Sequence, residues 1–93
     1  MFRSFRDKDA EALSAAYVPR RLRAVARVAQ RKLQQLNAAH RLEDLRIFPG
    51  NRLEALKGNR RGQHSIRIND RLRICFVWRD GDAYEVEIVD YHS

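Results

Sequence analysis

From residue 63 onward, apolar and polar positions alternate with a period of two through "QHSIRIN", "RLRICFVW" and "AYEVEIVDYH". Successive side chains of a strand leave on opposite faces, so each stretch predicts a half-buried β-strand. The alternation is interrupted at Asn69-Asp70 and again at Asp80-Gly81-Asp82, both built from turn-forming residues. Connections this short predict that the last three strands form an antiparallel meander. One parity gathers Ile66, Ile68, Leu72, Ile74, Phe76, Trp78, Tyr84, Val86 and Ile88, and the other gathers Arg67, Arg71, Arg73, Glu85 and Glu87. The apolar face therefore needs a cover, and the charged face can stay open.

Upstream the period changes. In "VPRRLRAVARVAQRKLQQLNAA" the apolar residues Leu22, Val25, Ala26, Ala29, Leu33 and Leu36 recur three and four apart, which predicts a helix with Pro19 in its first turn. Before it, "DKDAEALSAAY" predicts a shorter helix that Asp7 or Asp9 can cap, and "MFRSF" a short strand pegged by Phe2 and Phe5. "RLEDLRIFPGN" reads as a connector closed by the turn Pro49-Gly50-Asn51, "RLEAL" as a short strand and "KGNRRG" as a basic loop. Only the two helices are available to cover the apolar sheet face. The expected fold is α+β, with two N-terminal helices packed on a twisted antiparallel sheet of about four strands. Its 93 residues suit a single domain, residues 1–93, with one modest core.

Charge sharpens this picture. The chain carries a net +7, with sixteen arginines against three lysines. Arginine grips phosphate through two donors and stacks on bases, so the bias favours a nucleic-acid partner. A GC-rich genome also converts lysine codons to arginine, which accounts for part of the ratio and none of the net charge. Counting Lys and Arg against Asp and Glu, residues 1–46 hold about +6, 52–73 about +5 and 74–93 about −4. Arg20, Arg23, Arg27 and Arg31 form a stripe on the polar side of the long helix. At this point it reads equally as a solvated face or as a surface that meets phosphate or an acidic partner. The single Cys75 excludes a disulfide and fits a buried reduced thiol. The N-terminus lacks an apolar signal core and no run approaches a membrane span, so a cytoplasmic protein with no membrane partner is expected.

The sequence holds no glycine-rich phosphate loop, no H-E-x-x-H and no G-x-S-x-G, and its three histidines are too scattered to argue a zinc site. No metal or other cofactor is expected. What remains is a set of cations and one proton carrier: Lys57, Arg60 and Arg61 in the basic loop, Arg67 and Arg73 in strands, and Tyr91 and His92 at the end. Cleaving RNA without a metal needs a base for the 2′-OH proton, cations for the charge building on phosphate, and an acid for the leaving 5′-oxygen. Imidazole suits either proton role near neutral pH, and an open face with arginines and an aromatic can receive a splayed single strand. The plainer alternative pairs Arg67 and Arg73 with Glu85 and Glu87 across strands, and makes His92 part of a frayed tail.

Four motifs in order shift the balance. They are the R-L-x-x-L-x-G turn, the G-Q-x-S-I-R-I-N-D hairpin, the R-I-C-F strand and the terminal V-D-Y-H. Together they resemble the HigB-type toxins, the plasmid-maintenance killer proteins of the RelE/ParE superfamily, over nearly the whole chain and most densely over residues 51–92. The resemblance implies a RelE-like, microbial-ribonuclease-like fold and a toxin of a type II toxin-antitoxin pair. Such a toxin is a metal-independent endoribonuclease that cuts mRNA on the translating ribosome. Its partners would be the ribosome, mRNA and a HigA-like helix-turn-helix antitoxin, with operator DNA met only through the antitoxin. By motif position, Lys57, Arg73, Asp90, Tyr91 and His92 would belong to the active site. Arg60, Arg61, Arg67 and Arg71 are added as RNA-binding cations from the local pattern.

One position departs from the family pattern. Many HigB-type toxins carry histidine in the first motif, where this chain has Glu54. A carboxylate is a weak base towards a 2′-OH, so Glu54 either moves a proton slowly or orients Arg73 or Lys57 while His92 does the proton chemistry. Two other functions fit the same pattern: a same-fold poison of DNA gyrase, and a non-catalytic basic nucleic-acid-binding module.

Overall fold

In the computed structural model, which describes residues 1–90, four strands form one sheet in the order β1 (Glu54–Ala55), β2 (His64–Arg67), β3 (Leu72–Arg79), β4 (Asp82–Asp90). Each is antiparallel to its neighbour, and the last three make the expected meander. Its turns follow from the residues that break the alternation. Asp80 and Gly81 both take positive φ, 52° and 80°, giving a two-residue turn whose twist matches the flanking strands. At the other turn, Asn69 Oδ1 accepts from the backbone N–H of Arg71 at 2.9 Å and of Leu72 at 2.8 Å. β1 is shorter than "RLEAL" suggested and β2 shorter than "QHSIRIN".

The apolar parity is buried as read at Ile66, Ile68, Ile74, Phe76, Val86 and Ile88, with Leu72 and Trp78 packed against them. Tyr84 is the exception. Cys75 faces Glu87 but Val77 faces Tyr84, so Phe76 meets two residues of β4, and Glu85 sits in the left-handed region at φ 51°. This bulge shifts the parity by one. Ala83 takes the core position, and the Tyr84 ring turns to the other face, 4.6 Å from the Arg79 guanidinium.

The cover comes from α1 (Lys8–Ser14) and α2 (Ala26–Ala38), through Ala10, Leu13, Ala29, Leu33 and Leu36. The long helix expected from residue 18 begins later. Arg20–Val25 form a tighter 3-10 segment, because Val25 (φ −117°, ψ 6°) breaks the α-geometry before Ala26. Leu22 is nevertheless fully buried. No helix among the described residues is long and apolar enough to cross a membrane.

Asp7 is the cap of α1, accepting from Asp9 N–H at 2.9 Å. Its second oxygen accepts from Ile88 N–H at 3.1 Å and from Arg21 at 2.9 Å, so one carboxylate ties α1 to β4 and to the turn before α2. The first residues run parallel to β4: Arg3 N–H donates to Ala83 carbonyl (2.8 Å), Arg6 N–H to Val86 carbonyl (3.0 Å), and Val86 N–H to Ser4 carbonyl (3.1 Å). They occupy the outer edge of β4, which would otherwise offer unpaired backbone groups.

Candidate active site

The face of the sheet away from the helices carries rows of residues fixed by register. Glu54 lies opposite Ser65, Ser65 opposite Cys75, and Cys75 opposite Glu87. The next row holds Arg67, Arg73 and Val89. Arg73 is the centre of the arrangement. Its Nε donates to Ser65 Oγ at 2.7 Å, its Nη2 donates to the Arg52 carbonyl at 2.7 Å, and the same nitrogen pairs with the Glu54 carboxylate at 3.2 Å. Only 11% of the side chain is exposed. A guanidinium held at both ends cannot swing, so its remaining donor capacity has a fixed direction.

The connector between α2 and β1 explains why a carbonyl waits there. Pro49–Asn51 form a single 3-10 turn, as the turn signal predicted, and Arg52 follows in the left-handed region at φ 45°. Lys32 Nζ donates to the Gly50 carbonyl at 3.1 Å, while Asn51 Nδ2 donates to Gln35 Oε1 at 3.1 Å and to the Leu45 carbonyl at 3.2 Å. Helix α2 thus grips the turn from one side and Arg73 from the other. Lys32 is buried, and burial first, then the positive charges of Arg31, Arg67 and Arg73, lower its pKa. Lys32, Asn51 and Ser65 support this arrangement and were not singled out in the sequence, where Glu87 stood only as an ion-pair partner for Arg67 or Arg73. Lys32 left a signal: it falls three after Ala29 and four before Leu36, on the apolar side of α2.

The basic loop divides its cations. Lys57 and Arg61 are exposed and line a shallow cup with Leu56 and Gly58, whose φ of 63° lets the chain turn there. Arg60 turns inward, donating from Nη1 to Glu87 Oε2 at 2.9 Å and to Gln63 Oε1 at 3.1 Å. The cross-strand pairs expected for Arg67 and Arg73 with Glu85 and Glu87 are replaced. Register sets Val89, not a glutamate, against Arg73, and Arg67 pairs with Asp70 in its own turn.

Asp90 and Arg71 come together elsewhere. Asp90 lies opposite Leu72, whose side chain packs on the core, and its carboxylate meets Arg71 Nη2 at 3.3 Å. With Arg21 and Asn69 they line a groove at the end of the sheet. Arg71 therefore does not share the row of Arg67 and Arg73, because it precedes the first residue of β3. His64 is on the helix side of the sheet, its ring 6.3 Å from that of Phe76. Burial, then the charge of Arg46, lowers its pKa. Tyr91 and His92 lie outside the described residues.

The structure thus joins Glu54 to Arg73, sets Lys57 and Arg61 on a neighbouring loop, and keeps Arg71 with Asp90 at the sheet's end. A small basic α+β domain with a rigidly held arginine on its open sheet face is the class of protein this defines. Residues 4–92 match the HigB-like toxin family, the RelE-like toxin of the type II toxin-antitoxin system HigB, and the chain belongs to that family.

Among curated proteins the chain is similar to toxin HigB-1 of Vibrio cholerae, 55% identical over 53 residues that cover 57% of this chain and 56% of that protein. It is also similar to endoribonuclease HigB of Proteus vulgaris, 36% identical over 63 residues, or 66% and 65% of the two chains. An uncharacterized protein of Haemophilus influenzae is 31% identical over 67 residues, 72% and 65% of the two. In each case the match spans less than two thirds of the relative's own length.

Proposed function

We propose that this protein is a ribosome-dependent mRNA endonuclease that arrests translation and growth until a helix-turn-helix antitoxin neutralises it. The observation that carries the reading is Arg73: nearly buried, locked to Ser65, Glu54 and the Arg52 carbonyl, and on the sheet face that a single strand can reach. Family membership and the name of the Proteus vulgaris relative support the same reaction.

In the proposed reaction the 2′-oxygen attacks phosphorus as it loses its proton, the P–O5′ bond breaks, and a proton moves to the leaving 5′-oxygen. The products are a 2′,3′-cyclic phosphate and a 5′-hydroxyl. Arg73 stabilises the negative charge on the non-bridging oxygens, and Lys57 adds a second cation from the adjacent loop. Glu54 pairs with Arg73, which makes it first an orienting group, and His92 carries the principal proton transfer. Tyr91 and Asp90 complete the catalytic set by their positions in the family motif, and Arg60, Arg61, Arg67 and Arg71 attract the mRNA backbone. No metal takes part in this scheme.

The antitoxin partner would meet the other side of the molecule. Arg20, Arg23, Arg27 and Arg31 are all exposed and make no ion pair among the described residues. Beside Arg31, the exposed Ile47 and Phe48 line a groove with Gln34 and Ala38. An acidic surface with apolar anchors is the counterpart this face suits.

Growth arrest tests the reading. His92→Gln and Arg73→Ala are each expected to abolish arrest while antitoxin binding persists, and pulse labelling of the unmutated toxin should show protein synthesis failing before DNA synthesis. Full toxicity in both variants, or early loss of DNA synthesis, would overturn it.

A further inference from the structure

Beside the Arg73 row lies a polar cleft of about 340 Å³ lined by Arg6, Asn59, Arg60, Gln63 and Glu87. We propose that this cleft seats one base of the mRNA and that Glu87 and Gln63 set codon preference at that position. The inference rests on the endonuclease reading above and extends it to specificity.

Position comes first. Gln63 stands two residues before Ser65, and Glu87 stands in the same cross-strand row as Ser65. Both therefore share the sheet face of Arg73, Glu87 offset from its row by two residues, roughly 7 Å, and Gln63 by four, roughly 13 Å. A nucleotide whose phosphate rests on Arg73 can reach the cleft with its base.

Chemistry comes second. A carboxylate on a face meant for RNA repels the backbone, so a phosphate-binding role does not account for Glu87. Its charge is balanced by Arg60 at 2.9 Å, and the side chain is only 15% exposed. That pairing engages Oε2, and Oε1 is the carboxylate's second acceptor. Gln63 Oε1 accepts from the same Arg60 at 3.1 Å, which fixes its amide and leaves Nε2 as its donor end. The cleft thus presents an oriented acceptor and an oriented donor side by side, the pattern that reads a base edge and not a phosphate. Carboxylates accept from exocyclic amines, so adenine, cytosine or guanine is favoured and uracil, which has no amine, is disfavoured.

The loop is shaped for this. Gly58 and Gly62 both adopt positive φ, 63° and 92°, and between them Asn59 and Arg60 are carried over the sheet. Arg60 is thereby brought to Glu87, twenty-seven positions away in sequence.

Cleavage of ribosome-bound mRNAs that differ in one base of the A-site codon tests the proposal, with cut sites mapped at nucleotide resolution. The unmutated toxin should cut amine-bearing bases better than uridine at one codon position. Glu87→Gln should reduce that ratio roughly tenfold, and Asn59→Ala and Gln63→Ala should shift it in the same direction, while Lys57→Ala slows every codon alike. Asn59 is exposed, so its variant reports even if Glu87→Gln fails to fold. Cutting with an unchanged base ratio in all three cleft variants would overturn the cleft assignment and leave the nuclease reading intact. No cutting by the unmutated toxin on any programmed ribosome would overturn the nuclease reading itself.

Discussion

The two arginine-rich regions of this molecule are built in opposite ways. On the open sheet face, Arg73 and Arg60 are each tied down by at least two partners: Ser65, Glu54 and a backbone carbonyl for one, Glu87 and Gln63 for the other. Along the polar side of α2 and the turn before it, Arg20, Arg23, Arg27 and Arg31 are exposed without an ion pair among the described residues. Same residue, same charge, different physics. A fixed guanidinium has already lost its conformational entropy and can stabilise a charge that develops at one point. A mobile one contributes long-range attraction and adapts to whatever surface arrives. Fixed arginines therefore suit chemistry and mobile ones suit docking.

The sharpest break is Arg73→Lys. Lysine keeps the charge but has no planar fork, so it cannot satisfy Ser65 and the Arg52 carbonyl together. Cleavage of mRNA on programmed ribosomes should fall by about 100-fold or more, with thermal unfolding showing that the domain persists. A rate within a few-fold of the unmutated toxin would mean that fixation is irrelevant. Next in size is the stripe. Replacing Arg20, Arg23, Arg27 and Arg31 by glutamate should slow antitoxin association about tenfold or more at low salt and flatten its dependence on ionic strength, as read by surface-immobilised kinetics. Each single arginine-to-alanine change there should move it only slightly.

The smallest effects lie in pH. Lys32 has a folded-state pKa below its ordinary value near 10.5, so the unfolded chain holds that proton to higher pH than the folded one. Stability should rise as pH climbs from the folded value towards the ordinary one, and Lys32→Met should remove that slope. His64 behaves alike at the acid end: its pKa is lowered from about 6.5, so stability falls as pH drops below that value, and His64→Phe should flatten the fall. Denaturant melts across the two pH ranges measure both slopes.

The meander and its buried face were legible because period-two alternation and turn residues are local signals, and the pattern at Ile66, Ile74 and Phe76 is also what buries them. Tyr84 was misread because a single inserted residue at Glu85 reverses parity, and nothing in "AYEVEIV" marks the insertion. Within the site, Arg73 and Glu54 stood out from family motifs, yet their mutual contact depends on β1, a strand of only two residues, and on a left-handed Arg52. Such contacts are made by tertiary closure and have no periodicity to read. The stripe on α2 was plain from spacing, while the break in the helix at Val25 was not, since valine is tolerated in helices and its dihedrals answer to the packing around Leu22.

The parallel pairing of residues 1–6 with Ala83–Val86 sets the timing of this protein's life. Residues 1–6 must wait, unpaired, for a segment made about eighty residues later. Contacts of such long sequence separation close last and only after the chain's loop entropy has been overcome. A nascent chain halted before β4 has neither its sealed edge nor the row that ends in Glu87. Until β4 has been made, the cell therefore handles a chain in which neither the sheet nor the Arg73 row is complete.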